Sequence, residues 1–336
     1  MPTPPLDARP NALGYSEREA QMKIDGRAAS AMALGRRDGP VRELPAWLHK
    51  NMLSCIEGAP ALNPTLLRAY NVALRVLGGR YRARTYFGST MLCDPHDAIQ
   101  NTVLHFGTWE PNVSAVIEKL LSPGDVCVDI GANVGYDTLL ASHLVGLHGA
   151  VIAIEASPAI FDLLSRNIGE NDARNIRLVQ KAVSNRPGML NLYAGPPGNR
   201  GLTTTLASRT SRIEATVEAL PLDQILTVSE RSRLRLIKMD IEGGEAPVMH
   251  RFLDTLGLYP DSLALIVEVS PSGEWPDIFQ RMRSAGFSAY FIENSYSRQW
   301  YIKQRHQLTP LRPLDSVPNC QADILFTRGS APDIAP

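Results

Sequence analysis

Cysteine is scarce in this chain. Cys55, Cys93, Cys127 and Cys320 are the only four among 336 residues, and no two stand as CxxC. A disulfide framework and a thiolate metal knuckle are therefore not indicated, and buried reduced thiols are expected. The seven histidines are scattered, without the spacing of a zinc site. An excess of one charge is lacking as well: 34 Lys and Arg stand against 34 Asp and Glu. No net field favours nucleic acid or an anionic membrane as partner. No apolar run approaches the roughly 20 residues of a membrane helix. The opening MPTPPLDARPNALGYSEREAQ holds no apolar core of the kind a secretory signal needs. These absences lead to the expectation of a cytoplasmic protein with neither a nucleic-acid nor a membrane partner.

What is present is the composition of a soluble globular chain, 44% hydrophobic and 20% charged. Its length suits one large domain and an accessory region. Residues 1–43 are rich in Pro, Ala, Arg and Gly and read as a flexible arm, with room for one helix over 16–32. Residues 44–93 read as a helical and β accessory region. PAWLHKNMLSCIEG and NPTLLRAYNVALRVLGG have helical periodicity, and the second sets Leu66, Leu67, Tyr70, Ala73, Leu74 and Leu77 on one face. Such a face predicts a cap over the substrate side or a homodimer surface. YRARTYFGSTMLCDP alternates like a strand or hairpin.

The main domain is expected over 94–330. AIQNTVLHFGTWEPNVSAVIEKLLSPGD reads as two helices joined around Gly107 to Pro111. Strand candidates follow at 126–130, 150–156, 176–183, 234–240, 263–269, 288–293 and 322–327. Helical stretches lie between most of them, at 136–147, 159–171, 245–256 and 277–285. This alternation predicts an α/β fold, a parallel sheet with helices on both faces. Residues 188–226 break the rhythm and read as extra β-structure around a Gly/Thr-rich loop, GPPGNRGLTTTLAS.

In open α/β sheets, ligands bind beyond the carboxyl ends of the strands. The first such turn here is Asp129-x-Gly131-x-Asn133-x-Gly135. A dinucleotide fingerprint would have glycine where Asp129 stands. A carboxylate there would repel a pyrophosphate, but it suits a ligand with an amino group and a sulfonium, such as S-adenosylmethionine. Gly131 allows a tight turn and Gly135 a close approach of helix and ligand. Glu155, at the end of the second strand, can accept hydrogens from ribose hydroxyls. NAD enzymes use an acid at that place too, so Glu155 alone does not discriminate. A plain capped βα turn is the structural alternative.

VDIGANVGYDTLLAS, VIAIEASP, NIRLVQKAVSN, IKMDIEGGE and LIVEVSP together resemble the FkbM-type family of S-adenosylmethionine-dependent methyltransferases, over roughly residues 94–328. The resemblance implies a Rossmann-like, seven-stranded class I methyltransferase sheet whose last strand, ADILFT, runs antiparallel, preceded by a mainly helical extension. It implies that Asp129, Gly131, Asn133 and Gly135 line the methionine end of S-adenosylmethionine. It implies further that Glu155 holds the ribose, that Ala156 and Ser157 flank the adenine, that Ala182 and Val183 bracket its other side, and that Glu110 approaches the amino group. It favours a hydroxyl acceptor on a small molecule, a secondary metabolite or sugar, with S-adenosylhomocysteine as product.

LRLIKMDIEGGE sets Lys238, Asp240 and Glu242 at alternate positions, on one face while the strand lasts. Methyl transfer from an activated donor needs mainly alignment and desolvation, and an alcohol acceptor must also lose a proton. Asp240, Glu268 and Lys238 are the candidate catalytic residues. Cofactor binding or turn capping is the alternative for Asp240, and a structural ion pair is the first reading for Lys238. Glu242 is a candidate substrate contact, or, like Glu245, a helix-start acid. Asp240 and Glu268 could together hold Mg²⁺ and a diol, but no third ligand is evident, so a metal is not expected. Trp109 and Tyr136 are candidate apolar walls, and Asn199, Thr203 and Thr204 candidate loop contacts. An N-methyltransferase, a non-catalytic S-adenosylmethionine-binding module and an NAD oxidoreductase are the competing readings.

Overall fold

A computed structural model of the chain describes residues 40–43, 63–195, 198–199, 203–206, 212–271, 273–297, 300–301 and 308–333. All of them belong to the unit Pro40–Pro336, as distinct from Met1–Gly39. The helix expected over 16–32, the one at PAWLHKNMLSCIEG, and Cys55 lie outside the described residues.

The unit begins with β1 (Val41–Glu43), α1 (Asn63–Leu77), β2 (Arg80–Arg84) and β3 (Thr90–Cys93). Residues 41–43 were expected in the arm, yet β1 pairs in parallel with β2, and β2 pairs antiparallel with β3. On α1, Asn71 and Leu74 are buried and Tyr70 is half-buried, whereas Val72, Ala73, Val76 and Leu77 are exposed. The buried stripe is thus narrower than the spacing suggested. Two helices follow, α2 (Ala98–Phe106) and α3 (Pro111–Leu120). The Asp97 carboxylate caps the first by accepting from the Gln100 amide. Gly107, in the left-handed region at φ 67°, ends it.

The main sheet takes β4 (Val126–Ile130), β5 (Ala150–Ile154), β6 (Ile176–Val179), β10 (Leu234–Met239), β11 (Ala264–Val269), β12 (Ser288–Ile292), β13 (Arg312–Leu314) and β14 (Ala322–Thr327). Their spatial order is β13-β12-β14-β11-β10-β4-β5-β6. Neighbouring pairs from β6 to β11 are parallel, and β14 is antiparallel to both β11 and β12. Seven strands were expected and, among the described residues, eight are present, because Arg312–Leu314 pairs with β12 at the edge. The run IRLVQKAV, read as one strand, is two. After β6, β7 (Ala182–Val183) leaves to pair with β9 (Ile213–Leu220), which also pairs with β8 (Gly188–Tyr193). The extra β-structure is therefore a separate three-stranded sheet, β7-β9-β8.

Helices cover both faces of the main sheet: α4 (Tyr136–Val145), α5 (Pro158–Gly169), the short α6 (Leu222–Ile225) and α7 (Val228–Ser232), α8 (Glu245–Asp254) and α9 (Trp275–Ser284). Strand side chains alternate between the faces. Val126, Val128 and Ile130 pack on one side with Phe252, Trp275 and Phe279. Cys127, Leu236, Ile266 and Leu325 pack on the other with α3 and α4. The same period places the chemistry. Two residues further along the parallel strands stand Asp129, Lys238 and Glu268, and two residues earlier on antiparallel β14 stands Asp323. In register, Lys238 is opposite Asp129, and Glu268 is opposite Asp323. Four charged side chains thus line one face, at one end of the sheet.

Candidate functional site

The turn after β4 brings the chain across the end of β10. Gly131 sits at φ 79°, and a Cβ there would lie 1.9 Å from the Asp240 carbonyl oxygen. Only glycine permits that approach. Gly135, at φ 92°, leaves room for Leu164 on α5, whose Cδ1 would lie 2.7 Å from a Cβ there. Asn133 also has a positive φ, and its amide donates to Glu155 Oε2 at 2.9 Å.

Asp129 is 2% exposed. Its Oδ2 accepts from the Thr138 hydroxyl at 2.5 Å, while its Oδ1 is buried with no partner. Burial pushes this carboxyl up to about 6, against the pull of Lys238. Glu155 is buried as well, and burial pushes it to about 7, although it accepts from the Ser157 and Asn133 amides. Glu155 therefore first ties the two βα turns together, and only its remaining lone pairs are open to hydroxyl donors.

The two residues after Glu155 differ. Ala156 is half-buried beside the small sheet. Ser157 is wholly buried as the N-cap of α5, and its hydroxyl donates to Glu214. It has little surface to offer an adenine. Ala182 and Val183 are buried in β7, one packed in the small sheet and the other in the main core.

Lys238 is 7% exposed, with its ammonium 3.3 Å from Asp137 and 3.8 Å from Asp240. Burial opposes its charge, but Asp137, Asp240, Asp129 and Glu110 outweigh that and hold it protonated. Asp137, unremarked in the sequence, is the closer partner of this lysine. Asp240 follows β10, half-exposed, with a buried Oδ1 that has no partner. Glu242 adopts φ 58°, uncommon for a residue with a side chain. Its carbonyl accepts from the Thr204 hydroxyl at 2.8 Å. Glu245, buried at the start of α8, accepts from the amides of Ile241 and Gly243, which fixes the loop in between. Burial pushes Glu245 to about 7.

Glu268 is 9% exposed, and its Oε2 is buried without a partner. Burial first, then Asp240, Glu242 and Asp323, raise its pKa well above the ordinary range. Asp323 is pushed to about 7, chiefly by burial, and accepts from Asn294. Asp240, Glu242 and Glu268 each bring a carboxylate oxygen to within 4.8 Å of the others. The third acidic partner that seemed missing is thus Glu242, which the loop turns back toward the strand ends.

Glu110 closes the near side. It is buried, at φ 43° before α3, and accepts from the Tyr296 hydroxyl at 2.8 Å. Burial, then Asp323, raise its pKa well above normal. Trp109 stacks on Tyr296 at 5.3 Å and on Tyr301 at 6.2 Å. Tyr296 and Tyr301 escaped the sequence reading because SYSRQWY has no period that assigns it to an element. Asp323 could have been found, as an acid inside the apolar ADILFT. Tyr136 is a correction: it is 3% exposed, hydrogen-bonded to Thr108 and packed on Phe87, so it belongs to the core and not to an open wall. Among the loop candidates, the Thr203 hydroxyl donates to Glu214 and Thr204 holds the Glu242 loop, so both position protein groups. Asn199 has a buried Oδ1 without a partner.

The residues fit S-adenosylmethionine. Asp129 keeps a buried carboxylate oxygen unpartnered beside the glycine turn, as a cationic ligand group requires, and the acid expected near ribose hydroxyls stands at the next strand end.

The chain is similar in part to known methyltransferases. A protein-L-isoaspartate O-methyltransferase of Methanospirillum hungatei JF-1 is 41% identical over 69 residues, which span 20% of this chain and 31% of that relative. Methyltransferase sdnD of Sordaria araneosa is 27% identical over 194 residues, 48% of this chain and 72% of its own length. A SAM-dependent O-methyltransferase structure from Thermotoga maritima aligns over 74% of this chain and 77% of its own, with 12% identity and a TM-score of 0.36. A family model described as the methyltransferase FkbM domain matches residues 129–289, just under half of the chain.

Proposed function

We propose that this protein is an S-adenosylmethionine-dependent methyltransferase that methylates a hydroxyl group of a small molecule. The observation that carries the reading is the buried, unpartnered Oδ1 of Asp129 beside the Gly131 turn, next to an acidic cluster at the ends of β10 and β11. Bound S-adenosylmethionine supplies a methyl group already activated on a sulfonium. Asp129 and Glu110 would hold its amino group, Glu155 its ribose, and Ala156 with Ala182 and Val183 its adenine. Ser157 serves this site as the cap that fixes the turn.

Asp240 stands where an acceptor hydroxyl has to lose its proton, and it serves as the group that orients the hydroxyl and takes that proton. Lys238 is a positioning residue: its ion pairs with Asp137 and Asp240 set the direction of the Asp240 carboxylate. Trp109 and Tyr296 form an apolar wall that excludes water. An acceptor amine is the second reading, favoured by the surplus of carboxylates. Asp240→Asn discriminates, since an amine needs less help in losing a proton. Transfer of labelled methyl to a panel of hydroxyl-bearing and amine-bearing small molecules is the test. Hydroxyl products that fall about 100-fold or more in Asp240→Asn support the reading. Amine products unaffected by that substitution overturn it.

A further inference from the structure

Asp240, Glu242 and Glu268 come from two adjacent strand ends and one tight loop, with ligand-capable oxygens all within 4.8 Å of one another. Like charges so close repel, and two of the three retain a buried oxygen that nothing satisfies: Asp240 Oδ1 and Glu268 Oε2. Glu268 is the independent sign of a missing partner. It is nine-tenths buried, and it faces the other two. Asp240, Glu242, Asp323 and Glu245, all acidic, lie around it. Lys238 does not fill the gap. Its nearer contact is Asp137, and it meets Asp240 through the other oxygen, Oδ2, at 3.8 Å.

The third member is held in place deliberately. Glu242 occupies the left-handed region at φ 58°, with its carbonyl tied to Thr204 and the amides on either side tied to Glu245. Without those bonds the loop would relax, because a non-glycine residue pays for that conformation.

We propose that Asp240, Glu242 and Glu268 bind one divalent cation, Mg²⁺ or Mn²⁺, and that the cation presents two neighbouring oxygens of the acceptor to the methyl donor site. Hard carboxylate oxygens select such ions over softer ones. Ligands of an octahedral ion at about 2.1 Å lie roughly 3.0 Å apart when adjacent and 4.2 Å apart when opposite, so the three carboxylates must draw together as the ion binds. An octahedral ion held by three carboxylates keeps about three positions for water or acceptor. The acceptor class that follows is a vicinal diol, or a hydroxyl beside a carbonyl, and this part rests on the hydroxyl-acceptor reading above. Since Asp240 follows β10 beside the Gly131 turn, an acceptor chelated there lies next to the expected methyl donor.

The test is titration of the full chain with Mn²⁺, followed by loss of the free-ion paramagnetic resonance signal, with calorimetric S-adenosylhomocysteine binding measured separately on the same samples. The expected result is one Mn²⁺ per chain at micromolar affinity, displaced by excess Mg²⁺. It should weaken tenfold or more in Glu268→Gln and in the loop variant Glu242→Gln, while S-adenosylhomocysteine affinity changes less than threefold. No Mn²⁺ binding below millimolar concentration, or binding that survives both substitutions, overturns the proposal. Mn²⁺ binding that meets expectation in a protein that takes up no S-adenosylhomocysteine keeps the cation site and removes the methyl-donor reading, so the two fail separately.

Discussion

Asp129 carries the functional argument at the scale of one residue. Its Oδ2 is satisfied by Thr138 and its Oδ1 is not, in a place with 2% exposure. Asp129→Asn keeps the shape and removes the charge. A hydrogen bond to a charged group contributes about 1.5–3 kcal/mol, so S-adenosylhomocysteine should bind roughly 10- to 100-fold more weakly, with little change in melting temperature. Calorimetry with a thermal melt checks both halves. The same carboxyl sets a pH dependence. With Asp129 at about 6 and Glu155 at about 7, both above their ordinary values, the free protein binds extra protons when folded. The stability these two groups confer is present in full below about pH 4 and is lost as pH rises through 6 to 7. Binding of a cationic ligand needs the charged form, so affinity should move the opposite way and rise at least tenfold from pH 5 to 7.5. An affinity that is flat over that range would count against Asp129 as the ammonium partner. Gly131→Ala is the steric counterpart. Its Cβ would meet the Asp240 carbonyl at 1.9 Å with φ at 79°, and this rigid backbone contact should cost about 3 kcal/mol or more, seen as a lower urea midpoint.

At the scale of elements, the loop between β10 and α8 decides the shape of the acidic cluster. Glu245 supplies one carboxylate oxygen to two loop amides in a buried place. Glu245→Ala leaves those amides unsatisfied at roughly 1–3 kcal/mol each, so hydrogen exchange at Ile241 and Gly243 should speed up at least tenfold. Unchanged protection there would mean the loop is held by other contacts. The elements also show what was legible in the sequence. β4, β5, β10, β11 and β14 were readable because burial on both faces makes them apolar runs, and the charges at the ends of β4, β5, β10 and β11 stood out against that background. The break between β6 and β7 was not readable, because both strands are mostly apolar and the two differ only in their pairing partner. The protein partners of Ser157, Thr204 and Tyr136 were not readable for a related reason. A residue beside a ligand and a residue supporting one look alike in sequence, and only hydrogen-bond partners separate them.

For the whole molecule, the described part of the accessory region, residues 63–93, packs into the core. Leu74, Tyr81 and Ala83 are buried with Met91, Leu104, Tyr136 and Leu164 in one cluster. Burial of Leu74 and Tyr81 alone contributes about 1.5–3 kcal/mol each, a large share of a typical total of about 5–15 kcal/mol. A chain that starts at residue 86 should therefore melt at least 10 °C lower or be recovered as aggregate, which differential scanning calorimetry reads directly. Full stability of that shorter chain would contradict the packing described. Among the described residues no helix is long and apolar enough to cross a membrane.

The central claim is that the turn from Asp129 to Gly135 takes a methyl donor and not a dinucleotide. Isothermal titration of the full chain with S-adenosylhomocysteine and, separately, with NADH tests it most directly. The account predicts micromolar binding of the first with one site per chain, and no heat from the second. Binding of NADH without S-adenosylhomocysteine would contradict it, and with it the role given to the Asp129 carboxylate.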